Sequence, residues 1–209
     1  MTTSFWLLRH PEPQPEARGR CYGALDVPLS PGGFQEASRV AGFLHEEPLS
    51  AIYASPRRRC QDAALILAGG HGCCPVTLDA LREIDFGEFE GRSYDEIAAS
   101  HPDLYRQWMD HPTEIQFPGG ESFAQMRERV VEAANALRRR HDGETIAIVT
   151  HGGVIRILVA DALSIPHANI FRIAQRYAAI NLIRYLDGIP SVELLNAQSI
   201  PVGCESQGR

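Results

Sequence analysis

Two stretches of the chain share one plan: FWLL runs into Arg9 and His10, and IAIV runs into Thr150, His151, Gly152 and Gly153. A short apolar run bounded by breakers is the mark of a buried strand; Pro11 and Pro13 stop the first run, and the paired glycines stop the second. Each strand therefore hands the chain to an imidazole at its carboxyl end. In open α/β sheets that end is where ligands bind.

Between these stretches the signals alternate. A helical pattern over Gly32–Glu46 leads into the strand AIYA, an alanine-rich helical stretch runs from Arg57 to Ala68, and PVTLDA reads as another strand. Such alternation implies an α/β protein, a three-layer α/β/α sandwich with a mostly parallel sheet. Further on, Phe123, Met126, Val130, Ala134 and Leu137 fall on one helical face behind Ser122, a suitable N-cap. YAAINLIRYL and SVELLN read as two closing strands, a hairpin around DGIP.

A length of 209 residues with 44% hydrophobic content suits a single domain over residues 1–197. Residues 92–118, richer in charge and aromatics, read as a helical insertion over one end of the sheet, placed as a lid would be. The polar tail 198–209 is expected to fray.

The formal charge of -6 and pI near 5.7 argue against nucleic-acid or anionic-membrane partners, which need a clustered basic face. The first apolar run has no cationic lead and is too short for a signal segment or a membrane span, so a soluble, cytoplasmic protein is expected, as monomer or homodimer. Five cysteines, with no C-x-x-C spacing, suit neither a disulfide framework nor a structural zinc site. His71 beside Cys73 and Cys74 reads as part of a Gly-rich turn, and no metal or cofactor is expected.

Parallel strands bring their carboxyl ends together, so Arg9 and His10, Ser55 with the arginine run 57–59, and His151 can meet in one crevice. Imidazoles and guanidiniums there make an anion site, most naturally for phosphate, whose oxygens fit the planar donor fork of Arg. Gly152 and Gly153 would let backbone approach the anion at a helix start. Taken singly, either histidine could be a hydrogen-bonded structural residue. LREIDFGEFEGRS supplies acids: Glu83 at a probable strand end, and Glu88 and Glu90, which read as solvated loop carboxylates.

The segments LLRH, GRCYGALDVPLSPGGFQEA, SPRRRCQDAA, LREIDFGEFEG, PGGESFAQMRERV and IVTHGGVIR resemble, in order and spacing, the histidine phosphatase superfamily, the phosphoglycerate-mutase-like group. CYGALDVPLS and REIDFGEFEG are most similar to its α-ribazole phosphatase branch. The resemblance covers nearly the whole chain. It implies His10 as nucleophile, Arg9 and Arg59 as phosphoryl ligands, Glu83 as proton donor and His151 as the second histidine; Gly152, at the helix start, and Tyr22, in the loop after His10, are the further candidates for the substrate site. The implied activity is metal-independent hydrolysis of a small-molecule phosphomonoester through phosphohistidine, with α-ribazole 5′-phosphate as one candidate.

The loop after His10 departs from the family pattern: Pro11 stands where glycine is usual after the nucleophile, Glu12 and Pro13 follow where a small hydroxyl residue is common, and the Asn often found further on is not evident in PQPEARGR. Proline removes a backbone donor, so the anion contacts of this loop must differ. Two other readings are open, a mutase that returns the phosphoryl group to its substrate and a non-catalytic phospho-ligand module. Arg18, Arg20 and Tyr22 are either leaving-group contacts or solvated loop residues.

Overall fold

In the computed structural model, residues 1–198 are described, so the expected tail lies outside the described residues beyond Gln198. Six strands form one sheet: β1 (Thr2–Arg9), β2 (Leu49–Ala54), β3 (Val76–Thr77), β4 (Thr145–Thr150), β5 (Ile180–Leu186) and β6 (Ile189–Ala197), in the order β3-β2-β4-β1-β5-β6. β1 to β4 run parallel, and β5 and β6 add an antiparallel hairpin beside β1. The hairpin turns at Asp187 and Gly188, with φ of 50° and 85°, the two left-handed residues of a tight turn that matches strand twist.

The apolar runs carry no polar alternation because both faces are covered. Phe5, Leu7, Ile146, Ile148 and Ile183 point to the layer of α5 (Phe123–Arg140) and α6 (Gly152–Ala162). Trp6, Leu8, Ile52, Ala147 and Val149 point the other way, to α1 (Pro31–Phe43) and α2 (Arg58–Ala68). Complete burial of a Leu or Phe side chain contributes about 1.5–3 kcal/mol, so the centre of β1 is strongly anchored. Its far end, Arg9 and His10, inherits that rigidity.

Local signals start the helices. Ser30 caps α1 by accepting from the Gly33 amide, with Pro31 in the first turn. Ser122 and Gln125 form a reciprocal capping box on α5, whose buried residues are Phe123, Met126, Val130, Ala134 and Leu137. PVTLDA behaves differently: β3 is two exposed residues on the sheet edge, after which a 3-10 turn at Asp79–Leu81 carries the chain toward Glu83. α3 (Tyr94–Ser100) and α4 (Pro102–Asp110) lie outside the sandwich, packed on a small aromatic core of Phe89, Trp108 and Phe117 with Cys21, Ile97 and Ile115. None of the helices among the described residues is long and apolar enough to cross a membrane.

Candidate active site

Strand register builds the site. Arg9 pairs with Thr150 across β1 and β4, and the His10 amide donates to the Thr150 carbonyl at 2.8 Å. Ser55, just past β2, donates its amide to Val149 at 3.0 Å. The two imidazoles consequently meet edge to face, ring centroids 5.2 Å apart. Arg9, His10, Tyr22, Arg59, Glu83 and His151 all line one pocket of about 140 Å³.

Both histidines are almost wholly buried. Burial, then the charges of Arg59 and Arg9, holds His10 well below the usual imidazole range; His151 is lowered by burial, Arg59 and His10 in the same way. His10 Nδ1 lies 2.8 Å from the Pro11 carbonyl, which can only accept, so Nδ1 carries the proton and Nε2 keeps the lone pair. His151 Nε2 sits 2.7 Å from Ser55 Oγ, and its Nδ1 faces Arg59 Nη2 at 3.3 Å. An incoming dianion would oppose these cationic influences and favour a donating His151.

Arg59 is the member of the arginine run that turns inward, fully buried at the start of α2. It donates to the Tyr22, Gly23 and Leu25 carbonyls at 3.0, 3.1 and 2.8 Å. Arg9 donates to the Gln175 carbonyl and lies 4.3 Å over the Tyr177 ring. Among the described residues neither guanidinium has a carboxylate within 4.0 Å, and the Nε atom of each is buried without an acceptor. Desolvated, unpaired cations on either side of His10 favour a bound anion.

Glu83 is held by two amides, Ile84 N–H to Oε1 and Gly153 N–H to Oε2, both at 3.0 Å. The paired glycines serve the side chains around them. A Cβ on Gly153 would stand 2.2 Å from Glu83 Oε1, and one on Gly152 would meet Arg156 Nη1 at 3.0 Å and Arg9 Nε at 3.4 Å. Gly152 thus bears on the site by making room for Arg9. Behind Glu83, Arg129 of α5 donates to the Arg82 and Glu83 carbonyls and forms a two-pronged pair with Glu121, both oxygens at 2.7 Å.

The loop after His10 explains what Pro11 changes. The Glu12 amide is taken by Glu36, and Pro11 and Pro13 have none, so this loop offers no backbone donor to an anion. The Glu12 carboxylate turns to Ser30 and Arg18, which removes Arg18 from the site. Arg20 stays on the rim, bonded to the Gly91 carbonyl and Glu96. Tyr22 lies beside His10, its hydroxyl 2.6 Å from that of Tyr177.

One expectation about the acids needs correcting. Glu88 is exposed, but Glu90 is not a solvated carboxylate: it accepts from the amides of Gly23, Ala24, Leu25 and Phe86. Glu90 holds the amides of the Tyr22–Leu25 loop while Arg59 holds its carbonyls. A charged run in the sequence cannot distinguish such a clamp from a solvated face. Among the described residues no three His, Cys, Asp or Glu side chains gather in a metal-binding cluster, and Cys21, Cys60, Cys73 and Cys74 are free thiols.

Next to this pocket lies a second chamber of about 180 Å³, sharing Glu83, Phe86 and Tyr94 with it. Trp108, Phe117, Phe123 and Phe171 add aromatic walls, and Arg156 is its cation. Arg156 and the aromatic walls Phe86, Tyr94, Trp108, Phe117 and Phe171 come from separate segments that no local sequence pattern joins. Arg156 was in plain view in THGGVIR, one turn after Gly152 on α6.

A sandwich of this topology, with imidazoles and guanidiniums gathered at its strand ends, has the phosphoglycerate-mutase-like fold. The chain belongs to the histidine phosphatase superfamily, branch 1, whose family model matches residues 5–198. It is 33% identical over 159 residues to phosphoserine phosphatase 1 of Hydrogenobacter thermophilus, covering 76% of this chain and 75% of that one. Bacillus stearothermophilus YhfR superposes with a TM-score of 0.87 at 31% identity, over 92% of this chain and 96% of that one. A structure described as a putative alpha-ribazole-5'-P phosphatase from Escherichia coli also reaches 0.87, at 23% identity over 96% and 98%, a likeness of fold.

Proposed function

We propose that residues 1–197 form one catalytic unit that hydrolyses a small-molecule phosphomonoester through a phosphohistidine on His10. The observation that carries this reading is a neutral, buried imidazole whose Nδ1 is tied to Pro11, flanked by two guanidiniums without carboxylate partners. The Nε2 lone pair attacks phosphorus in line; the N–P bond forms as the P–O bond to the alcohol breaks. Glu83 gives its proton to the departing alkoxide, then takes one from the water that cleaves the phosphohistidine. Arg9, Arg59 and His151 neutralise the equatorial oxygens, a role that elsewhere falls to a metal ion.

Substrate identity is the finer proposal. The CYGALDVPLS and REIDFGEFEG segments favour α-ribazole 5′-phosphate, whereas the 33% identical Hydrogenobacter relative is named for phosphoserine. Both belong in one panel of phosphoesters scored by release of inorganic phosphate. The wild-type protein should release phosphate from p-nitrophenyl phosphate in the presence of EDTA and be inhibited by vanadate. Activity lost in EDTA and restored by a divalent cation would overturn metal independence, and transfer of the phosphoryl group within the substrate without phosphate release would favour a mutase.

A further inference from the structure

Arg156 is out of keeping with its surroundings. It is half-buried in α6, one turn past the two glycines, in a chamber whose other charged side chain is Glu83 and whose remaining walls are mainly aromatic and aliphatic. Its Nε donates to the Ile173 carbonyl at 2.9 Å, and its guanidinium stands 5.7 Å from the Phe171 ring centroid. Nη1 and Nη2 donate to no described residue, and no carboxylate of the described residues lies within 4.0 Å. A half-buried guanidinium fixed at Nε, whose fork makes no bond to Glu83, the chamber's one carboxylate, while both Glu83 oxygens are held by the Ile84 and Gly153 amides, is costly unless something it binds repays the desolvation.

The position of the chamber identifies that partner. Glu83 stands on the boundary between chamber and phosphoryl pocket, so an alcohol that takes its proton from Glu83 departs into the chamber. About 180 Å³ lined by Phe86, Trp108, Phe117 and Phe171 admits one six-membered ring, since an apolar cavity of about 150 Å³ takes benzene. Such walls hold a flat body, and the one free fork in them selects a group with two acceptor oxygens.

We propose that this chamber is a leaving-group site for the alcohol of a phosphorylated hydroxy acid, with an apolar or aromatic body between the ring walls and its carboxylate on Arg156. The assignment rests on the phosphatase reading of the adjoining pocket. It separates substrates that the reaction alone does not: a neutral leaving group leaves Arg156 unpaired, and sites built around a buried polar group penalise ligands that lack its partner.

Two hydrolysis-inert ligands test the site by calorimetry, para-carboxybenzylphosphonate and its para-methyl counterpart, alongside turnover of p-nitrophenyl phosphate. Wild type should bind the carboxylated ligand at least about tenfold more tightly. Arg156→Met should bring the two within about twofold, and Arg156→Lys should keep part of the preference. Equal binding by wild type, or a tenfold preference that survives Arg156→Met, would overturn the site. The wild-type comparison decides even if a variant fails to fold. Turnover without preference refutes the subsite alone; preference without turnover refutes the phosphatase reading and supports the subsite.

Discussion

The phosphoryl pocket and the chamber beside it are built in opposite ways. The first is made by strand ends: Arg9, His10, Ser55 and His151 stand where β1, β2 and β4 stop, and two parallel registers fix their spacing. The second is assembled from Phe86, Tyr94, Trp108, Phe117, Arg156 and Phe171, side chains brought from the start of a 3-10 turn, two outlying helices, the segment before α5, α6 and the 3-10 helix after it. A rigid polar pocket suits one invariable group, the phosphoryl; a mosaic of loop and helix residues can suit one particular alcohol. On these proposals chemistry belongs to the sheet and selectivity to what is packed upon it.

The largest effect should come from the sheet side. On the proposed mechanism His10→Ala removes the atom that forms the covalent bond, and turnover of every phosphoester should fall more than about a thousandfold. Activity within that factor of wild type would show that another group attacks. Glu83, on the boundary, should divide the substrates: Glu83→Gln loses about a hundredfold or more on alkyl phosphates and much less on p-nitrophenyl phosphate, whose phenolate hardly needs a proton. Equal losses would make Glu83 a structural residue or a water activator.

A smaller loss is expected from Glu90→Gln, about tenfold in kcat/KM, because the amide clamp on Gly23–Leu25 also sets the carbonyls that hold Arg59. Glu88→Gln, at an exposed carboxylate, is the control and should stay within about twofold. Similar effects of the two substitutions would refute the clamp.

The mildest test is read in stability. His10 and His151 are both held below 6.5 in the folded protein, so below that pH the unfolded chain binds the extra protons. Their share of stability is fully present above about pH 6.5 and is lost as pH falls, with a slope approaching two protons, about 2.7 kcal/mol per pH unit. Denaturant melts of wild type against a His10→Gln, His151→Gln double variant should show the steeper acid loss in wild type. Parallel curves would mean that the imidazoles are charged in the folded state.

What could be read in the sequence follows the same division. LLRH and IVTHGG were legible because an apolar run ending in a charged residue states both the strand and its end, and parallel pairing does the rest. The capping signal of Ser122 was local and therefore readable; the equally local one of Ser30 emerges only with the structure. Arg59 needed the family pattern, since nothing in a run of three arginines says which one turns inward. Glu90 was misread because its partners, the amides of residues 23–25, lie more than sixty positions away. The glycines after His151 read as a place where backbone approaches an anion, whereas the side chains they make room for are Glu83, Arg9 and Arg156.

A rapid-quench experiment with a radiolabelled phosphoester bears most directly on the proposed chemistry. The expected result is label that appears within one turnover, survives alkali, is lost in acid and maps to the peptide carrying His10, with no label in His10→Ala. Label on a serine or aspartate, or hydrolysis at full rate with no phosphoenzyme at any time point, would contradict it.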